Sequence, residues 1–156
     1  MIKYRIMFVC HGNICRSPMA EFIFKDMVKK RGLSHLFEIS SAATSDEEIW
    51  GGVGNPVYPP ARSQLLANGI DPGAKRAVQL RRVDSEKYDM FVGMDDANIR
   101  NMRIILGNGC ENKIFKLMDF TPRGGSVADP WYSRRFDIAY SDIYEGCLAL
   151  LNKLAL

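Results

Sequence analysis

The stretch Met7-Phe8-Val9-Cys10-His11-Gly12-Asn13-Ile14-Cys15-Arg16-Ser17-Pro18 decides how the remainder of the chain is read. Its apolar start reads as a buried strand, its polar middle as a tight turn, and Pro18 as the opening of a helix. Cys10 and Arg16 bracket five residues, few enough for the loop to curl until thiol and guanidinium face one small volume. Gly12 and Asn13 supply the bends, glycine because positive φ costs it nothing and asparagine because it tolerates the left-handed region. Successive backbone N–H groups in such a turn form an anion nest, and the helix that follows adds the positive end of its dipole. The expected ligand is a phosphate dianion, cradled by His11, Gly12, Asn13, Ile14, Cys15, Arg16 and Ser17.

The same geometry carries chemistry. A thiol attacks only as the thiolate, a form favoured at a helix N-terminus or beside a cation. Cys10 is therefore the candidate nucleophile, forming a cysteinyl phosphate while Arg16 clamps the equatorial oxygens with its planar fork. Ser17 would hydrogen-bond the sulfur and help it leave in a second step. A bare Cys-x5-Arg spacing arises often by chance, whereas the full string in a strand–turn–helix context is far more restrictive. The competing reading is a structural thiol at a strand end, followed by a capped helix.

With those residues in view, the loop is similar to that of the low-molecular-weight protein tyrosine phosphatases. The resemblance continues through Ser40-Ser41-Ala42-Ala43-Thr44-Ser45, Gly93-Met94-Asp95-Asp96-Ala97-Asn98 and Asp129-Pro130-Trp131-Tyr132, and so covers nearly the whole chain.

Bulk properties agree with one enzyme-sized domain spanning residues 1–156. The chain has 156 residues, 47% hydrophobic and 25% charged, enough for a real core. A net charge of +3 is too mild to argue for nucleic acid but is compatible with phosphorylated substrates. No apolar run reaches membrane-spanning length, and Met1-Ile2-Lys3-Tyr4 leads straight into a strand, so a cytoplasmic protein is expected. The four cysteines, Cys10, Cys15, Cys110 and Cys147, do not read as a disulfide framework. With only His11 and His35 as histidines, neither a metal site nor any other cofactor is expected.

Strand and helix signals alternate: strands at Tyr4 to Cys10, Phe37 to Ala42, Tyr88 to Met94 and Lys113 to Leu117; helices from Pro18 to about Arg31, from Ala61 to about Asn68 and from Asp95 to about Leu106. In the first helix Ala20, Ile23, Phe24, Met27 and Arg31 are spaced for one buried face, with Gly32 ending it. Thr44 to Ala61 and Met118 to Tyr132 read as loops, and Ser133 as the cap of a last helix. Such alternation implies a parallel sheet covered on both faces, with ligands bound beyond the carboxyl ends of its strands, where Cys10 lies. The family resemblance implies more: an α/β flavodoxin-like domain with a four-stranded sheet in the order 2-1-3-4.

Phosphoryl transfer to a thiolate also needs a proton donor for the departing oxygen. Asp129 is the choice, stiffened by Pro130, with Trp131 and Tyr132 beside it to shield the site; Asp-Pro in a loop reads equally as a turn. In the family the matching aspartate is the general acid and then the base, which implies a bell-shaped or acid-shifted rate profile. By the same resemblance Asn13 and Ser41 form the pair that holds the loop. Asp95 is a supporting carboxylate or, equally, a helix N-cap. Cys15 is a reversible disulfide partner of Cys10 or a small buried hydrophobe. Trp50, Trp131 and Tyr132 line a cleft deep enough to prefer phosphotyrosine, although Trp50 alternatively pins a loop. Tyr132 is also a position that is phosphorylated in relatives. Lys75 or a neighbour in Lys75-Arg76-Ala77 stands where, by the resemblance, many relatives carry a histidine of the loop-supporting network. His11 is read as a rim residue, not a base.

The resemblance thus implies a tyrosine phosphatase acting on phosphotyrosyl proteins or small aryl and acyl phosphates, a monomer or weak dimer. Two other classes compete. Arsenate reductases sharing the loop need further cysteines on a mobile segment, and Gly69 to Met94 contains none. A phosphate-binding module would need neither a nucleophile nor an acid, yet Cys10, Arg16 and Asp129 are all present.

Overall fold

In a computed structural model that describes residues 1–155, with Leu156 outside the described residues, the chain runs as follows. Strand β1 (Tyr4–Cys10) passes through the Cys10 loop into helix α1 (Arg16–Lys30), which leads to β2 (Phe37–Ala43). A two-stranded hairpin, β3 (Ile49–Trp50) and β4 (Val53–Gly54), precedes α2 (Pro59–Ala67). Then come β5 (Met90–Gly93), α3 (Asp96–Leu106), β6 (Ile114–Lys116), the short α4 (Pro130–Ser133) and α5 (Phe136–Leu154). The main sheet is parallel throughout, in the order β2-β1-β5-β6. Counted along the chain without the hairpin, this is the expected 2-1-3-4.

Residue parity on β1 sorts the core. Side chains alternate across a strand, so Ile6, Phe8 and Cys10 join the large cluster containing Met19, Ile23, Phe24 and residues of α5, whereas Met7 and Val9 join Phe91, Met102 and Leu106 beneath α3. Phe24 packs edge-on against Phe8 and Phe37 at 5.6 Å from each, tying α1 to the first two strands. Parity thereby puts the Cys10 side chain on the face that α1 covers, at the carboxyl end of a central strand.

Local departures from the sequence reading have physical causes. Helix α1 starts at Arg16, two residues before Pro18, because proline is tolerated anywhere in a first turn whose N–H groups have no intrahelical acceptor. Arg31 is exposed, not part of the buried face, and its guanidinium donates to Asn152 at 2.6 Å. Strands β5 and β6 are shorter than expected, and α2 begins on Pro59 and Pro60, where fixed φ suits the first turn. Within Thr44 to Ala61 lies the β3–β4 hairpin, turned by Gly51 and Gly52, and a helical turn over Leu117–Phe120 takes the last residue of the expected fourth strand and the first residues of the expected loop. The last helix takes Arg135 as its N-cap residue, and Ser133 closes α4 instead.

The hairpin is fastened to the segment behind the Cys10 loop by a close backbone approach. Ala77 N–H donates to Asn55 O at 2.9 Å, Arg76 Nη1 donates to Gly54 O at 2.9 Å, and a Cβ at Gly54 would sit 1.9 Å from Ala77 O. Backbone yields less readily than a side chain. Gly54→Ala should therefore destabilise the fold by about 2 kcal/mol, read as a melting temperature lower by roughly 4–8 °C; an unchanged melting temperature would mean that the two segments separate freely.

Candidate active site

The loop between β1 and α1 is shaped from outside. The carbonyls of Cys10, His11 and Ile14 accept from Thr44 N–H, Ser45 N–H and Tyr58 N–H, each at 2.9 Å. With those carbonyls turned outward, the N–H groups of Asn13 and Ser17 face the sulfur of Cys10, at 3.4 Å each. Among the described residues, the N–H groups of Gly12, Ile14 and Cys15 have no protein acceptor, which is the nest an anion needs. The bend belongs to Asn13, at φ 59°, and not to Gly12, whose φ stays outside the left-handed region. Gly12 serves proximity instead, since a Cβ there would meet Glu48 Cγ at 3.2 Å.

Asn13 holds that strained shape with its side chain. Buried, it donates through Nδ2 to Ser17 Oγ (2.7 Å) and Ser41 Oγ (2.9 Å), and its Oδ1 accepts from Val78 N–H (3.0 Å). Two buried hydrogen bonds and one part-buried, at about 1 kcal/mol each, outweigh a left-handed penalty of about 1 kcal/mol, which asparagine feels less than most residues. Ser17 Oγ in turn lies 3.0 Å from Cys10 Sγ, where its hydroxyl can donate to a thiolate. Ser41 Oγ donates to Glu21 Oε1 at 2.6 Å.

Glu21 is a buried carboxylate that sequence reading passed over, because a Glu-to-Lys pair four apart on a helix reads as surface. Lys25 Nζ pairs with its Oε2, and Lys75 Nζ lies 4.0 Å from Oε1 while donating to Ser41 O at 3.1 Å. Lys75 thus completes the support by charge; burial pushes its pKa down, against the pull of Glu21.

Arg16 is buried beside the loop, its Nη1 donating to Asp95 Oδ2 at 2.7 Å and to Val127 O at 2.9 Å. One arm of the fork is anchored, leaving Nη2 and Nε for an oxyanion. Burial opposes its charge, yet Cys10, Asp95 and Asp129 together hold its pKa above the ordinary value. Both readings of Asp95 hold, since Oδ2 takes Arg16 while Oδ1 accepts Asn98 N–H at 2.8 Å as the N-cap of α3.

Asp129 comes from the opposite side, at the N-cap of α4. Its Oδ1 accepts Trp131 N–H at 3.0 Å, and its Oδ2 stands 3.6 Å from Arg16 Nη2. Cys10, His11, Gly12, Asn13, Ile14, Cys15, Arg16, Asp129, Trp131 and Tyr132 all line one cleft of about 410 Å³, a volume suited to a small aryl ligand. Trp50 does not line it. The turn at Gly51 and Gly52 leaves Trp50 75% exposed on the hairpin, and Glu47 and Glu48 form that wall instead. Glu47 Oε2 lies 3.0 Å from His11 Nε2 in an exposed pair across the rim. Neither glutamate carried a distinguishing signal in the sequence. Among the described residues no cluster of three or more His, Cys, Asp or Glu side chains is arranged to hold a metal, and no helix is long and apolar enough to cross a membrane.

Burial, then the charge on Cys10 and on Asp129, pushes the Cys15 thiol up to about 12. At neutral pH Cys15 should therefore stay unmodified by iodoacetate while Cys10 is carboxymethylated and inorganic phosphate protects it, read by peptide mass mapping of these two residues; equal labelling of Cys10 and Cys15 would contradict the burial of Cys15.

Comparison with known proteins agrees with this geometry. Residues 5–156 match the family model for low molecular weight phosphotyrosine protein phosphatase. The chain is 34% identical over 151 residues to the low molecular weight protein-tyrosine-phosphatase YfkJ of Bacillus subtilis, covering 96% of this chain and 94% of that protein. It is 35% identical over 153 residues to the low molecular weight phosphotyrosine protein phosphatase of Pongo abelii, covering 95% and 94%. The crystal structure of YfkJ superimposes with a TM-score of 0.92 at 33% identity, over 99% of this chain and 95% of that one. On sequence, fold and loop together, the chain belongs to the low molecular weight phosphotyrosine protein phosphatase family.

Proposed function

We propose that this protein hydrolyses phosphotyrosine and related aryl phosphates in two steps through Cys10. The observation that carries the reading is the convergence of Cys10, Arg16 and Asp129 on one cleft walled by Trp131 and Tyr132. In the first step Cys10 Sγ attacks phosphorus in line with the ester oxygen. Arg16 Nη2 and Nε and the loop N–H groups hold the three equatorial oxygens, and Asp129 transfers its proton to the leaving phenolate oxygen as the P–O bond breaks. In the second step Asp129, now a carboxylate, takes a proton from water. The water oxygen attacks phosphorus, the P–S bond breaks, and inorganic phosphate is released. Ser17 donates to the departing sulfur, consistent with its place 3.0 Å from Sγ.

Trp131 and Tyr132 give the cleft aromatic lining for the ring of an aryl phosphate, which supports phosphotyrosyl proteins and aryl phosphates over the shorter phosphoserine. Cys10 and Cys15 are both free thiols on the same cleft, which supports Cys15 as the partner of an oxidised Cys10. Tyr132, 83% exposed, is open to modification. We propose that it works as a monomer or weak dimer in the cytoplasm.

Hydrolysis of p-nitrophenyl phosphate across pH with EDTA present tests the reading. Cys10→Ser should abolish turnover while retaining phosphate binding, and Asp129→Ala should slow turnover by about 10²–10⁴-fold. Near-full activity in Cys10→Ser would refute covalent catalysis, and an inactive wild type under reducing conditions would redirect the work to oxyanion binding or arsenate reduction.

A further inference from the structure

Only two non-glycine residues among those described adopt positive φ, and they flank the site from its two sides: Asn13 in the phosphate loop and Arg134 just past Asp129. Asn13 is accounted for above. Arg134, at φ 59° and ψ 12°, is not. A left-handed backbone at a long, exposed side chain persists only where the surroundings compensate for it, and the surroundings here are aromatic. The guanidinium carbon lies 5.7 Å, 5.8 Å and 5.5 Å from the ring centroids of Tyr58, Trp131 and Phe136, within cation–π range of all three. Nη2 also donates to the Tyr58 hydroxyl at 3.3 Å, and Arg134 N–H closes the turn on Pro130 O at 2.8 Å. Among the described residues no carboxylate pairs with it.

These contacts join the two halves of the site. Tyr58 donates its N–H to Ile14 O of the phosphate loop at 2.9 Å, and its ring packs on Trp131 at 5.1 Å and on Phe136 at 5.9 Å. Trp131 donates its own N–H to Asp129 Oδ1, which leaves Oδ2 turned toward Arg16. A continuous path thus runs from the phosphate loop through Tyr58, the Arg134 guanidinium and Trp131 to the carboxylate.

We propose that Arg134 is a positioning residue: its guanidinium, seated against Tyr58, Trp131 and Phe136, fixes the segment that aims Asp129 and so sets how well the leaving oxygen is protonated. Arg134 touches no reacting atom. The proposal rests on the reading of Asp129 as the acid, and its test separates the two.

The test compares kcat/KM for a series of aryl phosphates, from p-nitrophenyl phosphate, whose phenolate leaves readily, to phenyl phosphate, whose phenolate needs the proton most. Asp129→Asn should steepen the dependence on the leaving group. Arg134→Asn keeps a residue that tolerates the left-handed region but removes the guanidinium; it should lose about tenfold on phenyl phosphate and less than about twofold on p-nitrophenyl phosphate. Arg134→Gly, which relieves the strain as well, should steepen the series in the same way and serves if the first variant folds poorly. Arg134→Lys, which keeps a cation over the rings, should stay within about threefold of the wild type throughout. Adding Arg134→Asn to Asp129→Asn should cost nothing further. Equal losses across the series, or a wild-type series in Arg134→Asn and Arg134→Gly, would overturn the proposal alone. A wild-type slope in Asp129→Asn would overturn the acid assignment and the proposal with it.

Discussion

The constraint on which the rest depends is the outward direction of the phosphate loop's carbonyls. A loop this tight must turn either its carbonyls or its N–H groups inward, and an inward carbonyl would repel the dianion that the site exists to hold. Three backbone donors from outside, on Thr44, Ser45 and Tyr58, settle the choice by taking the carbonyls of Cys10, His11 and Ile14. Those donors come from the two residues that follow β2 and from the N-cap of α2, so the anion nest is a product of the assembled domain. Strain at Asn13 follows from that choice, and the Asn13 amide offsets it.

Behind the loop the support is ionic and buried; in front it is aromatic and open. Glu21 alone in the core would carry a heavy desolvation cost, but Ser41, Lys25 and Lys75 share its charge. That arrangement makes a rigid floor under Cys10. The rim has no such density: Trp50 and Tyr132 stand largely in solvent, and the His11–Glu47 pair is an exposed one of the kind worth about 0–1 kcal/mol. A fixed phosphate site under a loosely held rim suits an enzyme whose reacting group is constant while the polypeptide around it varies.

Arg16 shows how one side chain is divided between structure and chemistry. Nη1 is committed to Asp95 and Val127, and only the remainder of the fork faces the cleft. Such anchoring removes rotamer freedom before the ligand arrives, so the ordering cost falls on folding and not on the catalytic cycle.

Most of the fold and the centre of the site were legible in the sequence, because both are local. Apolar runs between turn signals located the four strands of the main sheet, and Cys10 through Ser17 named the candidate nucleophile and clamp, since a phosphate loop needs those residue types at that spacing. Sheet order came from family resemblance, as periodicity within a strand says nothing about its neighbours. What the sequence could not disclose was decided by contacts between residues distant along the chain. Glu21 and Lys75 look like surface charges until Ser41 is folded over them. Trp50 looks like a cleft wall until the Gly51-Gly52 turn leaves it in solvent, with Glu47 and Glu48 at the cleft in its place. Arg134 looks like an ordinary loop cation until Tyr58 and Phe136 meet around it. The sequence by itself determined which groups are candidates for the chemistry; tertiary structure alone decided what holds them in aim, because hydrogen bonds and ring contacts between separate segments exist only once the segments have met.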